Sequence, residues 1–146
     1  GAVRQRRVGN AYQYSLSPGN RTVELIIIPS IKAEAALLDE LKKNIVAQFG
    51  RKAVSLTLYG SVVRGTEKRG SDIDVLAIAG DNRLKADMEE KSAALVPFYR
   101  ERYNSLLSLN CFTLDELRSK KTLSLLRTVE EEGVTLSGKP LRELLP

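Results

Sequence analysis

The sequence predicts an α+β domain, a small mixed β-sheet flanked by helices with a β-hairpin at its start. Three observations predict it. Short runs of strand-like alternation are interleaved with amphipathic helical patterns, a Gly-Ser turn closes one predicted strand, and an Asp-x-Asp pair opens the next. With 146 residues, 42% hydrophobic and 28% charged, the chain has the apolar content for a packed core.

Val8, Tyr12, Tyr14 and Leu16 are strand formers on either side of Gly9-Asn10, so residues 3–16 read as a hairpin. Ser17-Pro18-Gly19-Asn20 reads as a short linker. Leu37, Leu38, Leu41, Ile45 and Phe49 recur at helical steps, which predicts a helix over 31–49 with Ser30 as N-cap and Gly50 as stop. Val54, Leu56 and Leu58 alternate with polar residues in a strand that ends at Tyr59-Gly60-Ser61. A short helical turn or loop, 62–70, precedes a second strand through Ile73, Val75, Ala77 and Ile78.

Asp81 is placed to cap a helix reaching Tyr103, with Leu84, Met88, Leu95 and Phe98 as its stripe and Pro97 as a kink or break. Residues 106–112 form a third strand, and Thr113-Leu114-Asp115-Glu116 matches a capping box. An amphipathic helix from Thr122 to Glu132, a short strand at 134–136 and a last helical turn at 140–145 complete the order.

Composition removes several kinds of chemistry. Cys111 is the only cysteine and there is no histidine, so disulfide frameworks, Ser-His or Cys-His nucleophiles and histidine metal sites are excluded. Any metal must be held mainly by oxygen. Cys111 itself reads as a small buried hydrophobe. No apolar run approaches the roughly 18–20 residues that span a bilayer, so the expectation is a soluble cytoplasmic protein without a membrane partner. Net charge is +5, with Arg4, Arg6, Arg7 and Arg21 all preceding the first acid, Glu24. From residue 23 onward 19 basic residues face 18 acidic ones, so the surplus sits at the amino terminus, where it suits contact with a polyanion or is simply solvated.

The chemistry concentrates in residues 59–75. Asp72 and Asp74 are two apart on a strand and project from one face, while Ile73 and Val75 point into the core. Adjacent carboxylates repel unless a cation sits between them, and Mg²⁺ suits such a pair, completing its shell with water and phosphate oxygens. Gly60 permits close backbone approach to a ligand, and the Ser61 hydroxyl can donate to phosphate. Arg64, Lys68 and Arg69 add positive charge in the intervening loop, as phosphate contacts or as solvated loop charge.

A Gly-Ser pair, ten intervening residues and Asp-Ile-Asp entering an aliphatic strand resemble the signature of the nucleotidyltransferases of the polymerase-beta superfamily, in particular their minimal bacterial and archaeal branch. The resemblance is strong over 54–78 and looser over 31–145, including the closing Glu132-Gly133-Val134-Thr135-Leu136-Ser137-Gly138. It implies a nucleotidyltransferase fold, an NTP held by Gly60 and Ser61, and two Mg²⁺ ions held by the catalytic Asp72 and Asp74. The implied reaction moves a nucleoside monophosphate to a hydroxyl, phosphate or other acceptor. Active members of the family usually carry a third acid on a later strand, yet residues 105–112 hold no carboxylate; Ser108 and Asn110 are the central polar residues there.

Residues 3–16 bear a second resemblance, to the wing of a winged-helix DNA-binding domain, with Arg4, Arg6 and Arg7 as the DNA contacts this implies. On this reading residues 1–22 are a basic hairpin, a possible remnant of a winged-helix domain or a decoration, and 23–146 are the nucleotidyltransferase domain. Besides a Mg²⁺-dependent transferase, two other roles stay open: a nucleotide-sensing module of a transcriptional regulator, and an antitoxin-like partner of a helical toxin. Homodimerisation stays open as well.

Overall fold

The computed structural model describes residues 1–68, 70–118 and 123–145, which divide into two compact units, Gly1–Leu41 and Lys42–Pro146. In the first unit, strands β1 (Val3–Val8) and β2 (Ala11–Leu16) pair antiparallel from Val3↔Leu16 to Val8↔Ala11. The turn between them needs Gly9, whose φ is +61°. Ser17 ties the hairpin's open end, its N–H donating to the Ala2 carbonyl at 2.9 Å and its hydroxyl to the Gly1 carbonyl at 2.8 Å.

The helix begins earlier than the expected Ser30 cap. The Asn20 side chain accepts from the N–H groups of Thr22 (3.0 Å) and Val23 (3.2 Å), so helical backbone starts at once after the linker. A π-helical turn, Val23–Ile27, runs into α1 (Ile28–Phe49), leaving Ser30 inside the helix. Pro29 has no N–H to give to the carbonyl four residues back, and the wider turn stands immediately before it. Periodicity begins cleanly only after the proline, which is why it placed the start too late. Gly50 ends the helix as expected, donating to the Val46 carbonyl at 2.8 Å.

The second unit is built on a four-stranded sheet: β3 (Ala53–Tyr59), β4 (Ile73–Ala79), β5 (Leu107–Thr113) and β6 (Val134–Gly138), in the order β5-β4-β3-β6. β3 is antiparallel to β4 and β6, and β4 is parallel to β5, so the sheet is mixed as predicted. Alternation sends Leu56, Leu58, Ile73, Val75 and Ala77 to one face, all buried. On the other face Tyr59, Leu76 and Ile78 pack with Leu117, Leu126, Val129 and Leu141 in a second apolar cluster. Cys111 is buried on β5, as expected, and burial pushes its thiol up to about 12.

Helix α3 (Asn82–Tyr103) packs against β4 and β5 and starts where predicted, with Asp81 Oδ1 accepting from Leu84 N–H at 2.7 Å. It runs unbroken through Pro97. Both Pro97 and Ala93, whose carbonyl loses its donor, are exposed, so water can serve that carbonyl. Its buried residues are Met88, Ser92 and Tyr99, whereas Phe98, expected in the stripe, is 37% exposed. Tyr99 takes the inward position because its hydroxyl has a partner, donating to Asn44 Oδ1 at 2.7 Å.

The capping box forms: Thr113 N–H donates to Glu116 Oε2 at 2.9 Å and Glu116 N–H to Thr113 Oγ1 at 3.4 Å, opening a 3₁₀ turn, Glu116–Arg118. Helix α4 (Leu123–Glu132) packs against β3; the expected start at Thr122 lies outside the described residues. A 3₁₀ turn, Leu141–Glu143, follows β6. Among the described residues no helix is long and apolar enough to cross a membrane.

Candidate functional site

The turn after β3 is shaped by one glycine. Gly60 has φ +80° and ψ −154°, a region that essentially only glycine occupies. It also lies where a side chain has no room, since a Cβ would stand 2.5 Å from Asp74 Oδ2. The register explains the proximity: Tyr59, the last residue of β3, pairs with Asp74. Backbone therefore rests directly on a carboxylate. Ser61 then opens the single helical turn α2 (Ser61–Arg64), and Gly65, at φ +63°, closes it.

The connecting loop returns through a local clasp in which Lys68 N–H donates to Ser71 Oγ and Ser71 N–H to the Lys68 carbonyl, each at 2.8 Å. Asp72 follows just before β4 and is exposed, while Asp74, the second residue of β4, is half-buried. Ile73 and Val75 are buried on the opposite face, as the alternation requires. The Asp74 carboxyl is held above its ordinary value, first by burial and next by the charge of Asp72. The charge of Glu132 pushes the same way, while a hydrogen bond from Ser108 and the charge of Arg64 oppose it.

Among the described residues no ion pair engages Asp72 or Asp74. Two neighbouring carboxylates, one of them held above its ordinary value, beside a glycine turn fit a hard cation such as Mg²⁺. No group of three or more metal-ligating side chains is found among the described residues, so such an ion would draw the rest of its shell from water or a ligand.

The β5 side of the site is polar but carries no acid. Ser108 pairs with Asp74 in the parallel register and hydrogen-bonds its carboxylate. One step along the same face, Asn110 Nδ2 donates to the Tyr59 hydroxyl at 2.8 Å. Burial, then the charge of Asp74, raises the Tyr59 hydroxyl above its ordinary value, against the lowering effect of Asn110. Glu116 is engaged by Lys85 at 2.8 Å and by its own capping box, so it serves the fold.

Sequence reading gave Glu132 no role, yet it reaches the site from the end of α4. Its carboxylate accepts from Gly60 N–H at 3.2 Å and from Arg64 Nη1 at 2.6 and 2.7 Å. Gly133 permits this, because a Cβ there would collide with the Val129 carbonyl and, at 2.7 Å, with Thr57 Cγ2 on β3. In Glu130-Glu131-Glu132 only the adjacent glycine distinguishes the third acid.

The structure thus brings Gly60, Ser61, Arg64, Asp72 and Asp74 to one end of the sheet. Lys68 stands exposed on the loop, and Arg69 lies outside the described residues. Arg4 and Arg6 share one face of the hairpin with Gln13 and Ser15, while Arg7 lies on the other with Tyr12 and Tyr14, its Nε donating to the Gly9 carbonyl at 3.2 Å.

Two outcomes are expected. Gly60→Ala forces an L-residue into the glycine-only region and drives its Cβ onto Asp74, so chemical denaturation should show a loss of about 1–3 kcal/mol, with weaker divalent-ion binding. For Asp74, a raised carboxyl means that the folded state retains a proton the unfolded state has released, so stability falls as pH rises through that interval. Metal-free Asp74→Asn lacks this slope, and its melting temperature should gain on wild type as pH rises from about 4 toward neutrality.

A comparison with curated proteins gives no match. Among solved structures the chain is similar to a toxin–antitoxin crystallised with AMP-PNP, at 24% identity over 73% of this chain and 77% of that one, with a TM-score of 0.46. It is also similar to two mutants of the toxin–antitoxin MntA–HpeT, both at 22% identity, with TM-scores of 0.46 and 0.45; these cover 73% and 72% of this chain and 77% and 76% of theirs. The profile of the nucleotidyltransferase domain family matches residues 38–142, most of the chain and all of the site just described. The chain therefore belongs to the nucleotidyltransferase domain family.

Proposed function

We propose that this domain binds an NTP with Mg²⁺ and transfers its nucleoside monophosphate to an acceptor, releasing pyrophosphate. The observation that carries the reading is the contact of the Gly60 backbone with a half-buried Asp74 whose carboxyl is raised by burial and then by the charge of its neighbour, Asp72. Asp72 and Asp74 would hold the metal, whose charge neutralises the phosphates and the charge that develops on them during transfer. Gly60 and Ser61 would receive the triphosphate against backbone and hydroxyl donors, with Arg64 and Lys68 supplying positive charge. Calorimetric titration should show ATP binding that needs Mg²⁺ and falls at least tenfold in Asp72→Ala or Asp74→Ala. Equal affinity without the ion, or in the double variant, contradicts the reading.

Nucleotide sensing without turnover is a second reading, favoured by Ser108. The residue facing Asp74 from β5 is a hydroxyl, which is not a competent base near neutral pH. Incubation with α-labelled NTPs separates the two. Label transferred to an acceptor rules out sensing alone, and tight binding with no transfer supports it.

The hairpin extends the sensing reading toward DNA. Its arginines are exposed on both faces, with Tyr12 and Tyr14 beside Arg7. Duplex DNA binding through Arg4, Arg6 and Arg7 should weaken steeply with salt, by about 0.9 in log–log slope per phosphate contact. The triple alanine variant should bind duplex more weakly and with a shallower slope, and an unchanged slope contradicts DNA contact by these residues.

A further inference from the structure

The seat assigned above to phosphate is not vacant of negative charge. Glu132 puts one carboxylate oxygen on the Gly60 N–H and both on Arg64, and these are donors a phosphate would use. Its position is electrostatically awkward. The guanidinium that Glu132 holds is also the cation that offsets the charge of Asp74, so two carboxylates share one arginine. A side chain serving only as a strut could have been a neutral amide, which also accepts from an N–H without burdening Asp74.

The contact is also displaceable. Arg64 is 48% exposed, so a ligand can reach the pair from the guanidinium side, while Glu132 is 22% exposed. Gly133 holds the end of α4 against β3, so the carboxylate can leave by side-chain rotation while the backbone stays in place.

We infer that Glu132 is a built-in occupant of the triphosphate seat, a carboxylate latch that holds the Gly60 turn and Arg64 in the free protein and yields them to a phosphate group. The inference rests on the nucleotide reading above and adds to it a competitor within the chain. Occupied by Glu132, the turn keeps its shape without ligand, and binding exchanges one anion for another. Affinity for the nucleotide is lower than the seat alone would give.

The test titrates wild type, Glu132→Gln and Glu132→Asp with ATP and with inorganic tripolyphosphate, each with Mg²⁺, after circular dichroism confirms folding. Glutamine removes the charge. Aspartate keeps it but is one carbon–carbon bond too short to reach both partners. The latch predicts that both variants bind both ligands tighter than wild type, by about three- to tenfold, the scale of a weak ion pair released. If wild type binds and both variants are unchanged or weaker, Glu132 is a permanent strut, and the latch is overturned while the nucleotide site stands. Tightening in Glu132→Gln alone reveals relief of charge at a distance and also overturns it. If none of the three proteins binds either ligand, the nucleotide reading fails and the latch with it.

Discussion

The site depends on one close approach, the Gly60 backbone lying on the Asp74 carboxylate with no side chain between them. Three features of the fold converge to make it. The antiparallel register of β3 and β4 sets Tyr59 opposite Asp74, a glycine-only conformation turns the chain over that pair, and the buried Ile73 and Val75 fix which way Asp74 points. A one-residue slip in that register would send both aspartates to the opposite face. The hydrophobic alternation of β4 thus enforces the position of its charges.

Much of this was legible in the sequence. The alternation at Val54–Leu58 and Ile73–Ile78 locates two strands to within a residue or two, and the spacing of Gly60-Ser61 from Asp72-Ile73-Asp74 places a turn and a carboxylate pair at one end of both. The Asp81 cap and the Thr113–Glu116 capping box also formed as read, because each is a local exchange between a side chain and backbone N–H groups a few residues away. The mixed sheet follows from the same strands, with α3 as the crossover between the parallel β4 and β5.

What was not legible depends on tertiary partners or on competing local signals. Asn20 and Pro29 compete to mark the start of the first helix, and the cap prevails because two orphan N–H groups gain an acceptor there. Tyr99 displaces Phe98 from the inner stripe because Asn44, 55 residues away in sequence, supplies its hydrogen bond. Glu132 is 72 residues from Gly60, and only the adjacent Gly133 separates it locally from the two glutamates before it. Sequence marked Ser108 and Asn110 as the central polar residues of β5, and the parallel register shows that Ser108 is the one facing Asp74.

The most direct test of the central claim is a titration of Mn²⁺ into the ¹⁵N-labelled protein, reading paramagnetic broadening of each amide in turn. The account predicts that Gly60, Ser61 and residues 72–74 broaden first and together, that excess Mg²⁺ restores them, and that Asp74→Ala removes the effect. Broadening that begins on α3, around Asp87 and Glu90, and leaves Gly60 sharp would contradict it.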